Sequence, residues 1–360
     1  MQKKLSSMPL TDGYVAPIEL AEHVATLALW PERPDVWRDG AKPIQNLMIE
    51  LITTISKYEK VYLGVSKENY EHVSSLNLNN VIVYIAEYDD MWIRDTGPIF
   101  VKEKDVRGVS FEFNAWGGES GLYKPWDKDN RLAPFICEEF SYKYYDCSMV
   151  LEGGSISVDG CGLGIATSCS IINENRNPNL GYKQVNNYLK DYLGIEKMLW
   201  LSQGYAEDET GGHIDNFCVF INENELILSW CDDQSDDMYS ICRNAERELY
   251  TQSKKLGIDI SIHRVPTPKP IYASEEDRSN LVIHNNALKR VGGERLTASY
   301  INSYFINGAV LVPKFSCPED EEAAEVFSNI IKGRDILQIE SKELLLGGGG
   351  IHCAFMQVPK

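Results

Sequence analysis

Hydrophobic and polar positions fall along this chain in two alternating kinds of block. Residues 80–113, 148–169, 197–231, 296–315 and 336–358 share one order: an apolar run, a polar or glycine-rich turn, a second apolar run and often a third. Turns such as VDGCG, INENE and INGA put Asx and Gly between these runs, which is hairpin chemistry. Between and before them, IQNLMIELITTISKY (44–58), YKQVNNYLKDYLG (182–194), MYSICRNAERELYTQSKKLG (238–257) and PEDEEAAEVFSNIIKG (318–333) carry apolar residues at helical spacing. The last has an acid-rich first turn after Pro318 and a glycine just past its end, both helix-boundary signals. The pattern predicts an α/β chain of about five strand–strand–strand–helix modules. Such repetition points to a ring, in which neighbouring modules cover one another's edges. No Ser- or Gly-rich linker divides the modules, so a single domain over residues 1–360 is expected.

Composition narrows the function classes. The formal net charge of −18 opposes phosphate binding, so nucleic acid is not an expected partner. The same charge serves solubility and would draw in a small cation. The opening residues lack the apolar run of a signal peptide, and no stretch approaches a membrane span. Nine scattered cysteines form no C-x-x-C pair. Reduced thiols, a cytoplasmic location and no membrane partner are the expectation. Oligomeric state is unreadable; a homodimer or higher homo-oligomer is compatible with the sequence.

The polar residues gain meaning from their place in the repeat. The turn after each leading strand carries, in order, Trp92, Arg94 and Asp95; Glu152; His213 and Asp215; and His352 with Cys353. The fourth module offers Asn302, Ser303 and Tyr304. If the modules surround an axis, Asp95, Glu152, His213, Asp215 and Cys353 meet in one central site. Taken singly, each has a plain structural reading: a turn, a strand end, a packed histidine, a core thiol.

Together they define a chemistry. Cysteine with histidine is a nucleophile with its proton partner, and an acid beside the histidine fixes its orientation. Extra carboxylates do not suit a developing oxyanion, which needs donors. They suit a guanidinium, whose planar fork of N–H groups pairs with carboxylates. The residues therefore point to guanidine hydrolysis through a covalent cysteine adduct.

DDMWIRDTGPIFV, FNAWGG, GLYKPWDKDN, LEGGSISVDG, NRNP, ETGGHIDN, ASYINSYFINGAVLVP and GGGGIHC, in this order, resemble the agmatine deiminases, and the likeness runs from LWPERPDVWRDG to the C-terminus. The resemblance implies a pentein fold: a five-bladed α/β propeller of ββαβ modules around a pseudo-fivefold axis. It also implies hydrolysis of agmatine to N-carbamoylputrescine and ammonia, without a cofactor, on the way to putrescine. Carried over by motif, Cys353 is the nucleophile, His213 the acid/base, Glu152 a partner on the leaving-nitrogen side, and Asp95 and Asp215 the grip on the guanidinium. Trp92 would pack on the substrate's four-carbon stem. Glu209 and Asp208 would steer its terminal amine, and Gly350 would border the pocket. His352 is expected to point to the other side of its strand as a structural residue.

The chain departs from the family pattern at Gly211, Gly350 and Ala354-Phe355-Met356, positions expected to flank the pocket, so another guanidino amine stays open as substrate. Other readings also stay open. One is an amidinotransferase of the same fold; another is an arginine deiminase, although Arg94 on an alternating strand would face away from Asp95. The last two are a zinc site at His213, Asp215 and Cys353 and a non-catalytic binding module.

Overall fold

An antiparallel hairpin can close through a tight turn, whereas a parallel neighbour needs a crossover, usually a helix. The computed structural model, which describes residues 3–360, applies that rule five times. Ile99–Lys102 and Val106–Glu112 form a hairpin; helix Leu132–Glu139 follows, and Lys143–Val150 returns parallel to the second strand. The same order recurs in Ile156–Val158, Leu163–Thr167, helix Tyr182–Leu193 and Lys197–Leu201. It recurs in Cys218–Asn222, Glu225–Trp230, helix Asp237–Leu256 and Ser261–Pro266. Tyr304–Ile306, Ala309–Lys314, helix Glu319–Ile330 and Asp335–Glu340 repeat it again. The fifth sheet joins the two ends of the chain. Phe355–Pro359 pairs antiparallel with His23–Leu29, helix Lys42–Ile55 follows, and Lys60–Val65 and Val81–Ile85 complete it in parallel.

Four of the five predicted three-strand blocks are therefore displaced by one strand; the leading run of the fourth, 296–300, lies in the crossing between two sheets. Val81–Ile85 opens the first block in sequence but pairs with Lys60–Val65 of the preceding sheet. In the same way Lys143–Val150 belongs with Val106–Glu112, not with the LEGGS hairpin that follows it. Within each sheet the helix lies between the second and third strands, the ββαβ order. Hydrophobic periodicity locates strands without naming their partners, which explains the displacement. Several elements lie outside the predicted blocks and helices, among them strands Lys60–Val65 and Ser261–Pro266, helix Leu132–Glu139 and strand His23–Leu29. Helix Leu132–Glu139 is only eight residues long, with Pro134 in its first turn, too short for a periodic signal. Strand His23–Leu29 is flanked by strands on both sides and buried at six of its seven positions, so it reads as an unpatterned apolar run.

The four predicted helices form at Lys42–Ile55, Tyr182–Leu193, Asp237–Leu256 and Glu319–Ile330, each with a buried apolar stripe. Met48, Leu51, Ile52 and Ile55, for example, are wholly buried in the core beside Leu27, Val61 and Leu63. No helix among the described residues is long and apolar enough to cross a membrane.

The consequence for function lies in the connections. Five chain crossings lead from one sheet to the next: residues 86–98, 151–155, 202–217, 267–303 and 341–354. Every candidate site residue is on one of them.

Candidate active site

Four crossings bring Asp95, Glu152, His213, Asp215 and Cys353 together, all at 6 % exposure or less. His213 Nδ1 stands 3.8 Å from Asp95 Oδ2, and its Nε2 stands 3.9 Å from Glu152 Oε2. Cys353 Sγ lies 3.5 Å from Asp215 Oδ2. At the centre is Gly154. A Cβ built there would sit 2.7 Å from His213 Nδ1, 2.8 Å from Asp95 Oδ1 and 2.9 Å from Asp215 Oδ2. The ETGGH, LEGGS and IRDT motifs are thus packed so closely that only a hydrogen fits between them.

Other residues hold these groups in place. Asp95 accepts from Trp116 Nε1 at 2.9 Å and from the Gly154 N–H at 2.8 Å. Glu152 Oε1 accepts from Arg176 Nε at 2.7 Å. Asn302 donates to Cys353 Sγ at 3.2 Å and to Asn216 Oδ1 at 2.9 Å. His352, next to the cysteine, reaches Asp215 Oδ2 with Nδ1 at 2.9 Å. These partners leave three buried atoms without any: Asp215 Oδ1, Glu152 Oε2 and His213 Nε2. A buried polar atom with no partner is costly in a protein at rest. Here such atoms sit on three of the five converging side chains.

The electrostatics follow from so many acids in one dry place. Burial raises the Asp95 carboxyl to about 6; His213 opposes this, and Asp215 and Glu152 add to it. Burial, then Asp215 and Asp95, push the Cys353 thiol well above its ordinary range. Both influences favour the neutral thiol over the thiolate.

A cavity with about 460 Å³ of empty space, part of it open to solvent, ends on Cys353 and Asp95. Its walls include Trp92, Trp116, Tyr123 and Leu288, and Glu209 and Arg290 also line it. The glycine run explains its shape. A Cβ on Gly347 would overlap the Trp37 ring, on Gly348 the Glu209 carboxylate, on Gly349 the Trp92 ring and on Gly350 the Asn302 amide. Four bare positions let this turn lie flat against the cavity wall and deliver Cys353 to its floor.

The remaining candidates separate cleanly. Trp92 lines the cavity and packs on Trp37, ring centres 5.8 Å apart. Glu209 lines it too, held by Arg290 through Nη1 at 3.0 Å and Nη2 at 2.6 Å. Asp208 does not. Its carboxylate staples its own loop by accepting from Thr210 N, His213 N and Asn216 Nδ2, so it orients the histidine's backbone. Gly350 lies behind the cavity against Asn302. Ala354 and Phe355 are core residues, and Met356 packs on Arg94 through its sulfur, so that departure from the family pattern lies off the pocket. Arg94 does face away from Asp95, but on a helical turn, Ile93–Thr96, where a strand was expected. His352, expected on the far side of a strand, lies on a short helical turn and bonds Asp215. The structure adds Trp116, Arg176, Arg290 and Glu19 to the predicted set, and gives Asn302 of the fourth module a contact with Cys353. The first two stand inside the quoted FNAWGG and NRNP motifs, Trp116 before two glycines and Arg176 between two asparagines. Among the described residues no group of three or more His, Cys, Asp or Glu side chains is arranged to hold a metal ion.

Fold and site together define a class: mixed α/β proteins of repeated ββαβ sheets with a buried cysteine, a histidine and several carboxylates at the crossings between sheets. The chain belongs to the Porphyromonas-type peptidyl-arginine deiminase family, whose model matches residues 15–359. It is 40% identical over 359 residues to the agmatine deiminase of Pseudomonas aeruginosa (strain LESB58), covering 98% of each chain. The solved agmatine deiminase of Enterococcus faecalis superposes with a TM-score of 0.95 at 33% identity, covering all of both chains. C. jejuni agmatine deiminase superposes with a TM-score of 0.80 at 26% identity over 96% of each.

Proposed function

We propose that this chain hydrolyses agmatine to N-carbamoylputrescine and ammonia. The observation that carries this reading is the set of unpartnered buried atoms Asp215 Oδ1, Glu152 Oε2 and His213 Nε2 beside the Cys353 sulfur. Two anionic acceptors within one dry site match a planar cation with several N–H donors. Asp95 and Asp215 hold the guanidinium, with Glu152 on the side of the leaving nitrogen. Trp92 lies along the methylene stem.

Binding the cation lowers the cost of ionising Cys353, because the two carboxylates that hold its proton on now face a positive charge. The sulfur attacks the guanidinium carbon, forming a C–S bond and a tetrahedral adduct, and the thiol proton passes to His213. His213 protonates one terminal nitrogen, the C–N bond breaks and ammonia leaves. Water then adds to the thiouronium carbon with His213 as base. The C–S bond breaks, releasing the urea product and the sulfur.

The same reading makes residues 1–360 one pentein domain, a five-bladed propeller with the site on its pseudo-fivefold axis. It places the protein in the cytoplasm, with no nucleic-acid or membrane partner, as a monomer or homo-oligomer. Ammonia release from agmatine and from arginine, without added amine, is the direct test. Turnover of agmatine and not arginine is expected. A requirement for an amine acceptor would make the chain an amidinotransferase, and preference for arginine would move the substrate.

Asp95 gives a pH signature. With its carboxyl at about 6, kcat/KM should fall as pH drops through that value, because protonation removes half of the grip on the cation. Trp116→Phe removes a hydrogen bond to the charged form, which moves the acid limb to higher pH and lowers kcat/KM about tenfold at neutral pH. A limb that stays in place in the variant would show that another group titrates.

A further inference from the structure

We propose that Glu19 and His352 are positioning residues for this reaction: His352 is held as a doubly protonated imidazolium between two carboxylates and fixes Asp215 from behind. The proposal rests on the agmatine-hydrolysing reading for its kinetic arm, and on geometry alone for its structural arm.

The imidazole has a carboxylate on each nitrogen. Nδ1 is 2.9 Å from Asp215 Oδ2, and Nε2 is 2.8 Å from Glu19 Oε2. A neutral imidazole has one N–H and one lone pair, so one of the two contacts would set a lone pair against a carboxylate. Two protons on the ring satisfy both. The series extends further, since Glu19 Oε1 takes Arg94 Nη1 at 3.1 Å. Arg94 Nε also donates to the His352 carbonyl at 3.4 Å. Charges therefore alternate through the interior: Arg94 positive, Glu19 negative, His352 positive, Asp215 negative.

Each positive member is the chain neighbour of a site residue, Arg94 of Asp95 and His352 of Cys353. The helical turns Ile93–Thr96 and His352–Ala354 send one residue of each pair to the reacting centre and its neighbour behind it. Glu19, from the segment before strand His23–Leu29, ties the two together.

The surroundings agree. The charged groups facing His352 are Glu19, Asp215 and Arg94; Glu19 in turn feels His23, which is paired with Glu59. Burial and Arg94 oppose a charged imidazole, yet Glu19 and the Asp215 hydrogen bond raise it above its ordinary value. Burial would raise Glu19, but Arg94 and His352 hold it at about 2.

What this does for Asp215 is specific. Oδ2 is fastened by His352, which leaves Oδ1 unpartnered and fixed in direction for a substrate N–H. The imidazolium also offsets one of the carboxylates crowded around Cys353.

The test has two arms. Nitrogen-15 shifts of the His352 ring in the wild-type protein at about pH 8 should show both nitrogens protonated, where an ordinary histidine is neutral. A single protonated nitrogen would overturn the proposal, whatever the substrate proves to be. Glu19→Gln should lower kcat with agmatine by about 10- to 100-fold, the range seen when a partner that orients a site ligand is lost. It should also add a limb to the pH profile in which activity falls as pH rises, because His352 now loses its proton nearer its ordinary value. Unchanged rate and profile would refute the assignment. If wild-type protein turns over no agmatine, the functional reading fails while the ring spectrum still decides the charge of His352.

Discussion

Cys353→Ser should abolish ammonia release from agmatine, by at least ~10⁴-fold, while the protein keeps its fold and still binds the substrate. The substitution keeps the shape of the side chain, and Asn302 can donate to oxygen as it does to sulfur. What is lost is ionisation. A thiol pushed up by burial and by Asp215 and Asp95 can still be drawn down by a bound cation. A serine hydroxyl, whose alkoxide lies far above any accessible pH, cannot be. Two measurements check this together: turnover and calorimetric binding of agmatine to the serine variant. Retained turnover would remove Cys353 as nucleophile; lost binding would show that the thiol shapes the cavity floor. The same electrostatics predict that the free enzyme shows no thiolate ultraviolet band at neutral pH. A full band before substrate is added would contradict activation of the sulfur by the cation.

How much of this was readable without coordinates depends on which interactions a residue uses. The helices and most strands announce themselves through apolar spacing, and Asp95, Glu152, His213, Asp215 and Cys353 through their repeated position beside glycines. Repetition was informative even though the block boundaries were displaced by one strand. Displacing four of the blocks by one strand leaves their turns in equivalent places, now as crossings between sheets, and they still converge. The supporting partners were hidden for a different reason. Glu19 meets His352 across 333 positions and Asn302 meets Cys353 across 51, so no local pattern links them. Asp208 and Glu209 look alike in sequence as adjacent acids on one loop. One turns inward to staple the loop, and the other turns to the cavity and Arg290. His352 stands on a short helical turn where strand alternation was expected, and its Nδ1 faces Asp215.

Gly154→Ala should cost activity out of proportion to its size, about 10²- to 10³-fold in kcat/KM. The backbone at Gly154 does not lie in the left-handed region, so alanine meets no conformational penalty there. The cost is entirely steric and falls on the site. A methyl group 2.7–2.9 Å from His213 Nδ1, Asp95 Oδ1 and Asp215 Oδ2 must push at least one of them away. Overpacking of this kind costs about 1–3 kcal/mol of stability. A misplacement approaching 1 Å among reacting groups costs on the order of 10²-fold in rate. The pair of effects is diagnostic: a modest fall in melting temperature with a collapse in turnover means that the three side chains work as one unit held around a single hydrogen atom. Gly181→Ala is the control, since a Cβ at this helix start meets only Gln184 Oε1 at 3.4 Å, and its turnover should match wild type. Equal turnover in the Gly154 and Gly181 variants would mean that the guanidinium is not gripped where these three groups meet, and the carboxylate arrangement would need another explanation.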